Sequence, residues 1–353
     1  MALLIGDIRI DVPAVQAALS GFSDLAMRLI SRRYGGAGYA ISEGLLDKAL
    51  VAGDNRKRVV ELDTEDHPVA GQLLGSEPAV LAEAAAKLVG HGYDAVDINF
   101  GCPVRKVMGK CRGGFLLGEP AVALEIVRRV RDAVPAGVPV TLKMRRGVED
   151  DSASEDGFFT ILDGAFAAGV AAVTVHGRTV RQLYEGRADR AFLARVKAHV
   201  GPRRTVIGSG DLWTGADAVE MLAGTGVDGV SLARGSIGNP WIFADFAARV
   251  AGRPVPPPPT PAEQAEVILE HCRLAEELYG PEKGERSMRK FLIRYAAHHP
   301  DPEGVKAAWL AARTPADRAR VVAEWYRGRE RPPQPAGSAG ASPSRPSRVP
   351  ADF

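Results

Sequence analysis

The chain has 353 residues, 46% apolar and 25% charged, the balance of an ordinary globular protein with material for one large domain and a smaller one. A formal charge of +2 excludes binding of nucleic acid through net charge alone, so only local cationic clusters can argue for such a partner. Cys102, Cys111 and Cys272 have neither framework nor ligand spacing and no apolar run is long enough to cross a bilayer, so no disulfides, no metal, no membrane and a reducing, cytoplasmic setting are expected.

Short strand-like runs recur along the chain, at 14–19, 39–42, 69–74, 95–100, 138–144, 171–176, 205–209 and 229–233. Stretches with helical spacing lie between them, as at 79–89, 121–133, 158–168 and 216–222. Such β-then-α units over roughly 240 residues match a (β/α)8 TIM barrel, an α/β fold. An open doubly wound sheet fits less well, because no GxGxxG follows the first strand. The barrel is assigned to 1–252. A stiff Pro-rich linker follows at 253–261, then a small all-helical domain at 262–328 and a disordered tail at 329–353. Within the helical part, 262–279, 287–298 and 314–326 are helix candidates, and Thr260 is placed to cap the first, ahead of Pro261.

The segment Asp97-Ile-Asn-Phe-Gly-Cys-Pro103 organises the rest. An apolar alternation ends abruptly at Gly101 and Pro103, which puts Cys102 on a turn at the carboxyl end of a strand. A basic loop follows, with Arg105, Lys106, Lys110 and Arg112 and no acid between them. In an arbitrary protein this would be a small buried cysteine beside a solvated loop. Here a closed parallel barrel would bring all strand ends to one face: Gln72, Asn99, Cys102, Lys143, Arg145, His176, Arg178, Ser209, Asp211 and Arg234. A polar or titratable residue at nearly every strand end points to an enzyme.

Two glycine-bearing loops, Gly208-Ser-Gly-Asp211 and Ala233-Arg-Gly-Ser-Ile-Gly238, follow the seventh and eighth expected strands. Backbone amides there can approach a phosphate closely, and Arg234 adds a fixed cation. Either loop alone could be only a tight turn. An inward lysine at Lys143 must be paired or functional, because burying a lone ammonium is expensive. His176 and Gln72 facing the same cavity can hydrogen-bond a heterocycle.

These residues together resemble the tRNA-dihydrouridine synthase family. The matching stretches are Pro68 to Gly75, Asp97 to Val107, Val140 to Arg145, Val173 to Thr179, Gly208 to Asp211 and Ala233 to Phe243, with a weaker continuation at Ser287 to Tyr295. The wording Cys102-Pro-Val-Arg-Lys-Val107 is nearest the bacterial DusB-type branch. The resemblance implies a flavin-dependent oxidoreductase that reduces uridines in tRNA to 5,6-dihydrouridine, with FMN as cofactor and NADPH (or NADH) as reductant. By matching position, Cys102 is the general acid for C5, and Gln72, Lys143 and His176 hold the flavin ring. Ser209, Gly210, Asp211, Ala233 and Arg234 hold its ribityl and phosphate parts, and Ala17, Ala18 and Leu19 contribute backbone from the first strand. Asn99, Arg105, Lys106, Arg178 and Arg289 are the expected substrate contacts. Arg112, Arg181, Arg286, Lys290 and Arg294 are further cations for RNA phosphates. A thiol near its ordinary pKa of about 8.5 is mostly protonated at neutral pH and can serve as an acid.

The chain departs from the family pattern twice. Ala17-Ala-Leu-Ser-Gly21 stands where Ala-Pro-Met-Ala-Gly is usual, and Ser209 stands where asparagine is usual. Both leave the acid and the phosphate loops intact, so an active enzyme is expected: Ala18 and Leu19 still serve if the first strand meets flavin through its backbone, and flavin affinity falls if proline shape or methionine packing matters. A monomer is expected. Two alternatives stay open: an FMN barrel oxidoreductase acting on a small pyrimidine, like dihydroorotate dehydrogenase, and an RNA-binding relative that has lost catalysis.

Overall fold

The computed structural model describes residues 2–53 and 60–328, so the tail expected at 329–353 lies outside the described residues. Ala14–Gln16 (β3), Ala40–Ile41 (β4), Val69–Leu74 (β6), Ala95–Phe100 (β7), Val140–Arg145 (β8), Ala172–His176 (β9), Thr205–Ser209 (β10) and Gly229–Leu232 (β11) are all parallel. Each pairs with its sequence neighbour in this set, and β11 pairs back onto β3, which closes an eight-stranded barrel. Leu45–Leu46 (β5) prolongs the β4 edge along β6. The eight barrel strands coincide with the eight expected ones, mostly trimmed at their ends; β5 is not among those expected.

Alternation along the strands sets two environments. Outward residues such as Val69, Leu73, Val96, Ile98, Val140, Leu142, Val173 and Val206 are buried in the main core, shared with the surrounding helices. Inward residues low in the barrel, Val15, Ala70, Ala95, Ala172 and Ile207, join a separate cluster with Leu3, Ile5 and Ile10. Those last three belong to a hairpin, Leu3–Ile5 (β1) and Ile8–Ile10 (β2), that turns through Gly6 at φ +58°. The hairpin packs into the amino-terminal end of the barrel and plugs it. It is absent from the sequence expectations.

Helices Pro78–Gly90, Pro120–Ala133, Ser152–Ala167 and Gly215–Thr225 lie where helical spacing placed them. Leu25–Gly35, Arg190–Val200 and Ile242–Val250 add to the outer ring. After an exposed, extended stretch, Pro261–Tyr279 opens with a reciprocal cap between Thr260 and Glu263. Pro281–Tyr295 and Pro315–Val321 follow, the latter continuing through Val322–Tyr326, and the unanticipated Pro302–Ala311 lies between them. Their apolar faces form a second core around Phe291, Tyr295, Trp309 and Tyr326. Ala26, Met27, Leu29 and Ile30 of the barrel helix Leu25–Gly35 are part of that core. The same helix is anchored from its other side by Arg28, which donates to both carboxylate oxygens of buried Asp66.

Gly35 ends this shared helix against the Pro240 turn, where a Cβ would stand 2.0 Å from the Pro240 carbonyl oxygen. Gly36, at φ +70°, has open space around it. Gly35→Ala is therefore expected to destabilise by about 2–3 kcal/mol through overpacking. Gly36→Ala should cost about 1 kcal/mol through backbone strain alone. Chemical denaturation of the two variants that gave the reverse order would refute this packing account.

Candidate active site

The carboxyl ends of the strands surround a cleft of about 220 Å³. Its lining includes Ala17, Ala18, Leu19, Gln72, Asn99, Cys102, Lys143, His176, Ser209, Gly210, Asp211, Ala233 and Arg234. The register explains the convergence: Asn99 pairs with Lys143, and His176 pairs with both Arg145 and Ser209, so these positions stand near the same height.

A hydrogen-bonded chain fixes the β6–β7–β8 side. Thr141 Oγ1 donates to Asp97 Oδ1 at 2.6 Å, and Gln72 Nε2 donates to Asp97 Oδ2 at 2.8 Å. Asn99 Nδ2 donates to Gln72 Oε1 at 2.7 Å. Asn99 Oδ1 then accepts from the amides of Gly101 (2.8 Å) and Cys102 (3.0 Å), which locks the turn carrying the thiol. Burial raises the pKa of the Asp97 carboxyl, against the opposing pull of Thr141, Gln72 and Lys143. The turn is also held from outside. Gly114 N donates to the Cys102 carbonyl at 2.9 Å, and a Cβ on Gly113 would meet Cys102 Cβ at 2.8 Å. Cys102 itself is half-buried, and burial pushes its thiol above the ordinary value despite the Val104 amide, Lys143 and Arg145 nearby.

Cations stand among the mostly apolar residues of the rest of the wall. Burial, then Arg145, brings Lys143 down to about 8, and burial with four neighbouring cations keeps His176 neutral, well below the usual imidazole value. Arg145 donates to the carbonyls of Gly101, Thr179 and Leu183. Arg234 lies between two aromatic rings, 4.3 Å from the Tyr184 centroid and 4.6 Å from that of Trp213. Gly210 adopts φ +123°, and a Cβ there would meet Ala188 at 2.5 Å and the His176 ring at 2.9 Å. Only glycine fits, and backbone is left bare at the cleft wall.

Several expected residues stand elsewhere. Arg178, expected at an RNA phosphate, is buried with 2% exposure and donates to both carboxylate oxygens of Asp211 at 2.8 and 2.9 Å, as well as to the carbonyls of Glu185 and Gly186. Its charge is used inside, on an Asp211 carboxylate that Arg234 Nη2 also approaches, at 3.7 Å from Oδ1. Asp211, expected at the ribityl and phosphate parts of a cofactor, lines the cleft with its carboxylate held by Arg178 and also accepting from Ala188 N at 2.9 Å. Arg112 likewise turns inward to Asp47 at 3.5 Å, and Lys290 donates to the Gly21 carbonyl over the Phe22 ring. Arg105, Lys106 and Arg289 are exposed, the first two on the single helical turn Arg105–Met108 beside the cleft and the third on Pro281–Tyr295. Sequence reasoning missed the cleft-lining Tyr184 and Trp213, which sit on loops without periodicity; only their nearness to Arg178 and Asp211 in sequence could have flagged them.

A closed parallel barrel whose strand ends bring a half-buried thiol, a lysine, a histidine and two arginines to one cleft is an enzyme scaffold of the TIM-barrel class. The family model described as "Dihydrouridine synthase (Dus)" matches residues 15–324, and the chain belongs to that family. It is 36% identical over 324 residues to the tRNA-dihydrouridine synthase B of Xanthomonas campestris pv. campestris, covering 91% of this chain and 95% of that protein. A protein of the same name from Xanthomonas axonopodis pv. citri is 35% identical over 324 residues, with the same coverage. Among solved structures, a 2-naphthoyl-CoA reductase complex shares the fold at a TM-score of 0.56 and 14% identity, over 72% of this chain and 52% of that one.

Because burial raises the Cys102 pKa, its thiolate fraction at any given pH is below that of a free thiol. In a Cys111→Ser background, alkylation of Cys102 by iodoacetamide, followed by peptide mass mapping, is expected to show a midpoint above about pH 8.5. A midpoint below that value would mean an activated thiolate and contradict the acid assignment.

Proposed function

We propose that this chain reduces uridine in tRNA to 5,6-dihydrouridine with FMN, recharged by NADPH or NADH, at the cleft described above. The observation that carries the reading is a half-buried thiol at a strand end, lining one cleft with Lys143, Arg145 and Arg234. The residues present fit a flavin phosphate and ring. Arg234 is oriented by two aromatic faces, Gly210 admits close backbone approach, and Lys143 with neutral His176 offers donors at the level of Gln72. Ser209, Gly210, Asp211, Ala233 and Arg234 would hold the ribityl and phosphate parts, with Ala17, Ala18 and Leu19 lining the first-strand side. Bound flavin supplies the hydride that C6 of the uracil requires.

The chain's own contribution is positional and acidic. Cys102 Sγ–H gives its proton to C5, and the Asn99 clamp on the Gly101 and Cys102 amides keeps the sulfur at the cleft mouth while the base enters. Extruding a stacked uridine costs a few kcal/mol, and phosphate contacts from exposed Arg105, Lys106 and Arg289 offset it. Residues 1–252 would carry the chemistry, 253–261 the link, and 262–328 part of the RNA surface, in a monomer acting in the cytoplasm. The small-pyrimidine reading shares the cleft but leaves the exposed cations beside Cys102 without a task.

Cys102→Ala is expected to bind FMN as the parent does while single-turnover reduction of tRNA uridine slows by about 10²- to 10⁴-fold. An unchanged rate would remove the acid role. In the parent, that rate should hold through neutral pH and fall only as pH rises through the raised thiol pKa, since the protonated form is the reactive one.

Affinity for tRNA should fall with salt, and Arg289→Ala should lower both the affinity and the slope of that dependence. Filter binding that showed no salt-sensitive tRNA affinity would favour the small-pyrimidine substrate.

A further inference from the structure

Ser231 lies in β11, two residues before Ala233, with its side chain on the floor of the cleft. Its register partner on the adjacent strand is Val15 of β3, an inward position. On the other side, Gly208 of β10 pairs with Val230, so Ser209 comes level with Ser231 one step further along. Ser231 is 2% exposed, and among the described residues its hydroxyl has no hydrogen-bond partner. A buried hydroxyl left unpaired is costly. Thr141, another inward hydroxyl of these strands, is engaged with Asp97. Gln16, also unpaired, does not line the cleft.

We infer that Ser231 is a further binding residue for the polyol chain of the cofactor. This rests on the proposed flavin reading. The hydroxyl stands beside Ser209 and below Ala233, the two segments that would bracket the ribityl and phosphate parts. Serine can both donate to and accept from an alcohol, so it suits a hydroxylated chain better than a flat heterocycle edge. The ring-holding donors Gln72 and Lys143 stand on β6 and β8, away from β11.

The test uses the full-length apoprotein and three probes that differ stepwise: FMN, riboflavin and lumiflavin, the last having the ring without the polyol. Ser231→Ala is expected to weaken FMN and riboflavin binding by about three- to tenfold, leaving lumiflavin unchanged. Its apoprotein should melt at the parent temperature or above, since an unsatisfied buried hydroxyl has been removed, while the upward shift on adding FMN shrinks. Ser231→Cys, which nearly keeps the volume but hydrogen-bonds weakly, should show the same selective loss. Unchanged FMN affinity in both variants, or an equal loss for lumiflavin, overturns the assignment. A parent protein that takes up none of the three overturns the flavin reading itself, which is a distinct outcome from failure of Ser231 alone.

Discussion

Asp97 sits in the middle of the barrel with no exposed surface, and its carboxylate is tolerated because Thr141 and Gln72 donate to it from the two adjacent strands. Buried carboxylates without partners are among the most expensive groups a fold can hold. Satisfying this one ties β6, β7 and β8 into a single polar seam, and the seam ends on the Cys102 amide. The position of the sulfur therefore depends in part on Asp97 and Thr141, which do not line the cleft. The raised thiol pKa follows from the same arrangement, since the turn is drawn into the protein far enough to lose water while Lys143 offsets only part of the effect.

Much of this was legible in the sequence. The barrel strands β6 to β11 are visible there because four to six residues with period-two alternation, bounded by glycine or proline, are too short and too punctuated for a helix. The convergence of Gln72, Asn99, Cys102, Lys143, His176 and Ser209 then follows from parallel closure. What escaped is what depends on partners. Nothing local distinguishes Arg178, which is buried against Asp211, from Arg105, which is exposed; both read as cations on loops. Tyr184 and Trp213 flank Arg234 only because three separate loops meet there. The hairpin of β1 and β2 and the two-residue β5 stand outside the β-then-α rhythm that marks the barrel strands. The Thr260 cap, by contrast, is wholly local and stands where the sequence placed it, with a reciprocal bond to Glu263 added by the structure.

The helix Leu25–Gly35 shows how the two cores communicate. It contributes four buried residues to the carboxyl-terminal core, is clamped by Arg28 to Asp66, and meets the Pro240 turn at Gly35. Its leading loop, Leu19 to Asp24, borders the cleft through Leu19, Ser20 and Phe22, and Lys290 from the second core donates to Gly21 within it. Movement of the outer helices relative to the barrel cannot leave the first-strand wall of the cleft untouched.

The plug formed by Leu3, Ile5 and Ile10 carries a kinetic corollary. With the lower end stoppered by side chains, reactants share the upper doorway. On the proposed reading, a nicotinamide donor and an extruded nucleobase would both have to enter by that one doorway, so occupancy by one would slow the entry of the other.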